Sequence, residues 1–221
     1  MKPLKSDLKY DLLIIGGGIS SCVFASKYIQ KNVKEKVGLI ETGRGLGGRS
    51  STRISKRYKG WKLNHGAPNL NIRNSKNNLL LKNYIDELLE NKFIKIDDSE
   101  LIYLDKEFNF ETINKSEFYN GVNYLSLFYM SELSQNIIKL CNKRGKIDFY
   151  FETLIFDLKF HNNEWTLTSV NGDKFKSKYL ICSTNLLLHK RSLKILKINQ
   201  IPLRKAIPIN YDKKIDLLLS F

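Results

Sequence analysis

An apolar run that ends in three consecutive glycines constrains the fold of this chain more than any other feature. Tyr10–Ile15 (YDLLII) lacks the alternation of a half-exposed strand, which predicts a strand buried on both faces of a parallel sheet. Apolar residues recur with helical spacing from Ile19 to Gln30, so a helix is expected to begin at the glycines. The order of strand, glycine loop and helix is the beginning of a βαβ unit.

The glycine loop, from Gly16 to Ser21, has the pattern G-x-G-x-x-S. Gly16 permits the tight turn, and Gly18 lets the backbone approach a pyrophosphate that lies on the positive end of the helix. The third position serves packing between helix and strand, and Ser21 is small enough for that. We therefore expect the backbone of Gly16, Gly18, Ile19 and Ser20 to bind the phosphates of a dinucleotide.

An acidic residue, Glu41, closes the second strand of the unit, which is predicted at Val37–Ile40. It follows Gly18 at close to the spacing of roughly 20 residues at which such folds place an acid on a ribose hydroxyl. A carboxylate at this position disfavours a 2′-phosphate, which argues against an NADP-type ligand. The crossover between the two strands should be right-handed.

A second glycine turn follows Glu41, and plain NAD-dependent dehydrogenases do not need one there. Residues 43–49 read GRGLGGR, and with the Ser-Thr-Arg that follows they resemble the second fingerprint of the flavin-dependent amine oxidase superfamily. In that pattern two glycines and an arginine lie close to the phosphates and ribityl chain of FAD, where a guanidinium binds phosphate at two points. The resemblance implies noncovalent FAD, with Thr42, Arg44, Gly48 and Arg49 among the residues that bind it.

Two further segments extend the resemblance over most of the chain. The sequence N-H-G-A resembles the D-H-G-A segment of the renalase-like branch, and Asn64 stands at its Asp position. This implies that His65, Gly66 and Ala67 run beside the isoalloxazine ring. Ile155 falls where a branched apolar residue places its backbone against adenine.

The whole chain is therefore predicted to be an α/β protein with a Rossmann-like parallel sheet, a β-meander and an inserted α+β substrate region. The FAD-binding domain is expected in two segments, 1–74 and 129–186, with the substrate region at 75–128 and resuming at 187–221. The remaining predicted elements are a helix at Lys76–Asn91, short antiparallel strands within 97–121, a helix from the N-cap Ser131 to Lys143, meander strands at Leu154–Phe160 and Trp165–Val170, a type I′ turn at Asn171-Gly172 and a final parallel strand at Tyr179–Cys182.

Composition limits the other classes of function. The chain of 221 residues carries 37 Lys and Arg against 22 Asp and Glu, a net charge of +15. Such an excess would suit nucleic acid, an acidic membrane surface or an anionic ligand. The basic residues are spread along the sequence without a nucleic-acid recognition motif. We therefore expect dispersed, solvated charge, and neither a nucleic acid nor a membrane as partner. No run of 18 apolar residues exists that would span a membrane.

Cysteine and histidine add little. Three cysteines without C-x-x-C spacing predict neither a disulfide scaffold nor a zinc site, and His161 and His189 lack partners at metal-ligand spacing. A reducing cytoplasm fits best. Residues 19–22 (ISSC) also resemble a bacterial lipoprotein cleavage site, but two acidic residues interrupt the basic region before them.

The resemblance implies an oxidoreductase that passes a hydride from a C–H bond next to nitrogen to flavin N5. The small-molecule substrate would be an amine or, as in the renalase-like branch, an abnormal dihydronicotinamide, and oxygen the electron acceptor. The sequence identifies no catalytic residue, and His65 either assists the reaction or only packs its backbone. Family members continue beyond this length, whereas this sequence stops in the apolar run Asp216–Phe221. The alternatives are a truncated nonenzymatic remnant or a half-protein that needs a C-terminal partner chain.

Overall fold

The computed structural model describes residues 8–64, 66–73, 78–113, 118–141 and 147–183. The described residues fall into two compact units. The first holds those up to Gly48 and from Ile138 onward, and the second is Arg49–Ile137. None of the helices within these ranges is both long and apolar enough to cross a membrane.

A six-stranded sheet forms the centre of the first unit. Its strands, in sheet order, are β10 (Ile147–Tyr150), β2 (Val37–Ile40), β1 (Leu8–Ile15), β13 (Lys174–Cys182), β12 (Glu164–Ser169) and β11 (Ile155–His161). The first four run parallel, and β13, β12 and β11 form an antiparallel meander. The helix α1 (Ile19–Lys31) connects β1 to β2. The predicted parallel pairing of these two strands is confirmed.

The apolar runs are explained by where the strands lie. All four residues of β2 are buried, because this strand is flanked by β1 and β10 and covered on both faces. β13 has two roles, since its first half pairs with the meander while its whole length pairs with β1. The core cluster of this unit consists of Tyr10, Leu13, Ile40, Ile155, Leu158, Leu167 and Phe175.

One tyrosine joins β1 to β10 across β2. The Tyr10 hydroxyl donates to Asp148 Oδ2 at 2.9 Å and shares a short hydrogen bond with the Tyr150 hydroxyl. Its ring crosses β2 at Gly38, where an added Cβ would lie 3.1 Å from Tyr10 Cε1 and 2.7 Å from Leu13 Cδ2. Burial, followed by these hydrogen bonds, raises the pKa of Tyr10 above its usual range, so the hydroxyl keeps its proton.

The turns of the meander differ from the prediction. Asn162 and Asn163 adopt φ values of 51° and 58°, the two left-handed residues that a type I′ turn requires. The predicted type I′ turn at Asn171-Gly172 is wrong, because in this pair only Gly172 has a positive φ, of 88°. The Ser169 side chain accepts the Asp173 N–H at 3.0 Å, and the loop therefore closes over more than two residues.

The described part of the second unit includes two hairpins, a small sheet and two longer helices. Its elements are β3 (Thr52–Ile54) paired with β4 (Lys62–Asn64), the antiparallel sheet β5 (Leu70–Ile72), β9 (Val122–Ser126) and β6 (Ile94–Ile96), the hairpin of β7 (Leu101–Leu104) and β8 (Phe110–Ile113), and the helices α2 (Leu79–Glu90) and α3 (Met130–Lys139). The antiparallel strands predicted within 97–121 are confirmed.

Both helices of this unit depart from their predicted starts. α2 begins after Asn78, whose side chain accepts the Leu81 N–H at 3.0 Å, rather than at Lys76. Among its apolar residues, Ile85 and Leu88 are buried. The helix predicted to follow an N-cap at Ser131 already includes Met130. Its predicted end at residue 143, like residues 76–77, lies outside the described residues.

Replacing Gly38 with alanine should destabilise the sheet. The new methyl group would lie 2.7 Å from Leu13 Cδ2, closer than real contacts reach, and 3.1 Å from the Tyr10 ring, which is tighter than most. Leu13 is completely buried and has little room to move. Overpacking of this kind costs about 1–3 kcal/mol in the free energy of unfolding, measured by urea denaturation. Gly45→Ala is the control, since a Cβ there would meet no described atom within 4 Å. Equal stability of the two variants would contradict this packing.

Candidate dinucleotide-binding site

The glycine loop lies at the carboxyl ends of β1 and β2. Gly16 has a φ of 103°, which favours glycine, and its N–H donates to the Ile40 carbonyl at 2.8 Å. Gly18 is the N-cap of α1, and no described side chain caps this helix end. A Cβ on Gly18 would meet no described atom within 4 Å, so its backbone faces open space. A helix N-terminus over open space is suited to a phosphate group.

The Glu41 carboxylate joins two backbone turns. Its Oε2 accepts the Gly17 N–H at 2.5 Å, and its Oε1 accepts the Gly43 N–H at 2.6 Å. The Glu41 backbone is fixed as well, because its N–H donates to the Tyr150 carbonyl and its carbonyl accepts the Thr153 N–H. Each carboxylate oxygen retains a lone pair beyond these bonds, which suits the hydroxyls of a ribose.

The second glycine turn packs directly on the first. The Gly47 N–H donates to the Gly17 carbonyl at 2.8 Å, and Gly18 and Gly47 form a parallel bridge. Gly48 has a φ of 54°, and a Cβ on it would lie 3.1 Å from the Gly18 Cα. Glycine is therefore required in this turn because two backbones approach each other, in addition to any approach to a ligand.

The segment after β10 contacts the Glu41 turn and was missed in the sequence. The Glu152 N–H donates to the Gly43 carbonyl at 2.9 Å, beside the bond from Thr153 to Glu41. The strand β10 is only four residues long and pairs with β2 across more than a hundred residues, so local periodicity gives no signal for it. Ile155 follows at the start of β11, with its side chain buried in the core cluster.

The remaining predicted residues are distributed between the two units. Thr42 and Arg44 are exposed in the first unit, in the loop that contains Gly43. Arg49 is the first residue of the second unit, where its carbonyl accepts the Ala67 N–H at 2.8 Å. A Cβ on Gly66 would lie 1.8 Å from that carbonyl oxygen, so only glycine fits. His65 lies outside the described residues.

Asn64 has a role that the sequence did not predict. Its Oδ1 accepts the Met130 N–H at 3.2 Å and the Thr52 hydroxyl at 2.8 Å, and the Thr52 oxygen accepts the Ser131 N–H at 3.2 Å. Thr52 and Asn64 are paired across β3 and β4. This pair therefore supplies the acceptors for the first N–H groups of α3 from outside the helix.

The cysteines are free thiols. Cys22 is buried in α1, and its thiol donates to the Gly17 carbonyl at 3.8 Å. Cys182 is paired with Ile15 at the carboxyl ends of β13 and β1, where the glycine loop begins. Burial raises the pKa of the Cys182 thiol to about 11. It is therefore a neutral thiol at physiological pH. Within the described residues, no three His, Cys, Asp or Glu side chains are grouped to hold a metal ion.

These residues fit the adenosine diphosphate half of FAD. The uncapped N-terminus of α1 and the open backbone at Gly18 would receive the pyrophosphate, and the immobilised Glu41 carboxylate would receive the ribose hydroxyls. The fold and the site define a Rossmann-like dinucleotide-binding domain of the kind that flavin-dependent oxidoreductases contain.

Comparison with known proteins supports this class. Residues 14–88 match the family of NAD(P)-binding Rossmann-like domains. The chain is similar to a putrescine oxidase variant from a redesign of cofactor binding (TM-score 0.59, 11% identity, covering 84% of this chain and 60% of that one). It is also similar to a putative protoporphyrinogen oxidase from Exiguobacterium sp. 255-15 (0.59, 11%, 87% and 61%) and to the tetracycline destructase Tet(51) (0.53, 16%, 87% and 41%). No curated protein sequence matches.

The chain thus spans about 60% of the length of the putrescine oxidase structure. At these identities the similarity is one of fold. The comparisons confirm the predicted α/β fold with its Rossmann-like domain.

Removing the Asn64 side chain should destabilise the second unit. Asn64→Ala leaves the Met130 N–H without its acceptor, and loss of a helix cap costs about 0.5–2 kcal/mol in the free energy of unfolding. Asn64→Asp keeps the acceptor and adds a negative charge at a helix N-terminus, which is favourable. We expect urea denaturation to rank Asp at least equal to Asn, and both above Ala. An Asp variant as unstable as the Ala variant would contradict the capping role.

Proposed function

We propose that this chain binds FAD noncovalently and forms the cofactor-binding part of an oxidoreductase of the amine oxidase type. One observation carries the proposal, namely the Glu41 carboxylate held between the Gly17 and Gly43 N–H groups beside the uncapped end of α1. A carboxylate next to a phosphate-binding helix end favours a dinucleotide whose adenosine ribose carries no phosphate. FAD and NAD both meet that requirement, and NADP does not. The second glycine turn at residues 43–49, which plain NAD-dependent dehydrogenases do not need, favours FAD over NAD.

Each part of the site has a separate task in this proposal. The backbone of Gly16, Gly18, Ile19 and Ser20 binds the pyrophosphate, Glu41 binds the adenosine ribose, and the backbone of Ile155 lies against adenine. The resemblance assigns the phosphate and ribityl contacts to Thr42, Arg44, Gly48 and Arg49, and it assigns the contacts with the flavin ring to His65, Gly66 and Ala67. Bound FAD supplies the acceptor for a hydride, while these residues bind and orient it.

The substrate class follows from the resemblance to the renalase-like branch. We propose an amine or a dihydronicotinamide, with the hydride leaving a C–H bond next to nitrogen and oxygen as the final electron acceptor. The similarity in fold to putrescine oxidase supports the amine. The three free cysteines are compatible with a reducing cytoplasm, where we place the protein.

Glu41→Ala should weaken FAD binding. Hydrogen bonds to a charged group contribute about 1.5–3 kcal/mol, so the FAD dissociation constant should rise at least roughly tenfold in a titration of flavin fluorescence. Glu41→Gln keeps the size of the side chain but turns one acceptor oxygen into a donor. Its affinity for FAD should lie between that of the unaltered chain and that of Glu41→Ala. Glu164→Ala, in the meander, is the control. Unchanged FAD affinity in Glu41→Ala, with a folded protein by circular dichroism, would refute the site.

A substrate panel tests the reaction separately from binding. Under anaerobic conditions, an amine or a reduced nicotinamide of the right class should bleach the oxidised flavin, and oxygen should restore its absorbance. The competing candidate is an FAD-binding protein without its own activity, or one that acts only with a C-terminal partner chain. Tight FAD binding without bleaching by any member of the panel would favour that candidate and would contradict the oxidoreductase proposal for this chain.

A further inference from the structure

Two hairpins of the second unit expose apolar side chains. In the β3–β4 hairpin, residues 52–64, the exposed fractions are 65% for Ile54, 53% for Tyr58, 73% for Trp61 and 68% for Leu63. In the β7–β8 hairpin, residues 101–113, they are 64% for Ile102, 46% for Leu104, 77% for Phe108 and 76% for Phe110. Leu63 is paired with Arg53 and Ile54 with Lys62, so Leu63 and Ile54 lie on opposite faces of the first hairpin, whereas Ile102, Leu104 and Phe110 share one face of the second. Single exposed apolar residues are ordinary, but neighbouring ones on one face mark an interaction surface.

The two hairpins carry opposite charges. Between Glu41 and Asp86 the sequence contains ten Lys and Arg and no acidic residue, and five of the ten belong to the β3–β4 hairpin. Residues 101–113 contain three Asp and Glu against one Lys, and Asp98 and Glu100 directly precede them, in a chain with a net charge of +15. We refer to them as the basic hairpin and the acidic hairpin.

Internal hydrogen bonds fix the tip of the basic hairpin. The Ser55 N–H donates to the Trp61 carbonyl, and the Ser55 hydroxyl accepts the Tyr58 N–H, both at 2.9 Å. The rings of Tyr58 and Trp61 lie with centroids 5.8 Å apart, and the Arg57 guanidinium lies 5.4 Å from the Tyr58 centroid. The hairpin thus presents two aromatic rings and several cations in a defined arrangement.

The tip of the acidic hairpin is fixed in a comparable way. Asp105 Oδ1 accepts the N–H groups of Glu107 and Asn109 at 2.8 and 2.9 Å. This turn holds Phe108 at a φ of 65°, a left-handed conformation that is unfavourable for a bulky residue. Beside it, Leu104 is paired with Phe110 across the strands. An ordered turn therefore presents an apolar surface within a negative rim.

We propose that the two hairpins form a self-complementary interface, in which the basic hairpin of one copy packs on the acidic hairpin of a second copy and the reverse contact forms by symmetry. Such an isologous arrangement needs two complementary patches on one chain, and this chain has both. Apolar side chains would be buried on each side while the opposite charges select and orient the partner.

A second copy of the chain accounts for both hairpins, whereas an anionic membrane or a nucleic acid accounts for only the basic one. The basic hairpin alone would suit an anionic membrane or a nucleic acid, which attract Lys and Arg and accommodate aromatic rings. The same surfaces would repel the acidic hairpin, and Ile54 and Leu63 gain no stacking on bases. A partner with an acidic apolar patch and a basic apolar patch satisfies every charge, and a copy of this chain is such a partner.

Charge reversal in two matched variants tests the proposal. The first is Lys56→Glu, Arg57→Glu and Lys59→Glu, and the second is Glu100→Lys, Glu107→Lys and Glu111→Lys, which leaves the Asp105 turn intact. Sedimentation equilibrium of the full chain should show a dimer that weakens as salt is raised. Each variant alone should have a dimer dissociation constant at least tenfold higher, because like charges then face each other. An equimolar mixture should dimerise again, because the two variants are complementary.

The control is Lys159→Glu, Lys174→Glu and Lys178→Glu, on exposed positions of the meander, which changes the net charge by the same amount. It should dimerise like the unaltered chain, and circular dichroism should show all variants folded. A chain that stays monomeric at all concentrations would overturn the proposal, as would a mixture that fails to dimerise. Binding of the monomer to phosphatidylserine vesicles or to DNA through the basic hairpin would replace the second copy with that partner.

Discussion

The close approach of two glycine turns, with one carboxylate between them, is the constraint on which the first unit depends. Gly17 is bound both by the Glu41 carboxylate and, through its carbonyl, by Gly47. Gly18 and Gly48 then lie so close that a Cβ on Gly48 would lie 3.1 Å from the Gly18 Cα. Because the side chain of Glu41 fixes backbone groups in both turns, the candidate ligand site is formed largely before any ligand binds, which reduces the entropy lost on binding.

The sheet beneath this site is held at its edge by a polar cluster. Tyr10 reaches across β2 to Asp148 and Tyr150, and Gly38 leaves the space in which its ring lies. β10 in turn ends beside Glu41, whose N–H bonds to the Tyr150 carbonyl. The position of the candidate ribose-binding acid is thus coupled to a strand that lies more than a hundred residues away in the sequence.

In the second unit, Asn64 stabilises the fold, although its position in the family resemblance suggests a role in the candidate site. Asn64 and Thr52 supply the acceptors for the first N–H groups of α3, which connects the β3–β4 hairpin to the helix. An aspartate would accept the same hydrogen bonds, so the substitution is chemically conservative with respect to this cap. The same hairpin carries five of the 37 basic residues and no acidic residue, so this ordered element is strongly basic.

The sequence by itself determined the βαβ unit, its glycine loop and the acid after β2, because these signals are local and each reports a steric or burial requirement of neighbouring residues. It also determined the antiparallel pairs, although Asn162-Asn163 rather than Asn171-Gly172 forms the type I′ turn, since the Ser169 side chain lengthens the second loop. Only the tertiary structure decided the strand β10, the packing of Gly48 on Gly18, the cap formed by Asn64 and the folding of two oppositely charged segments into ordered hairpins. Each of these depends on pairing or packing between segments far apart in the chain, which no local pattern of residues encodes.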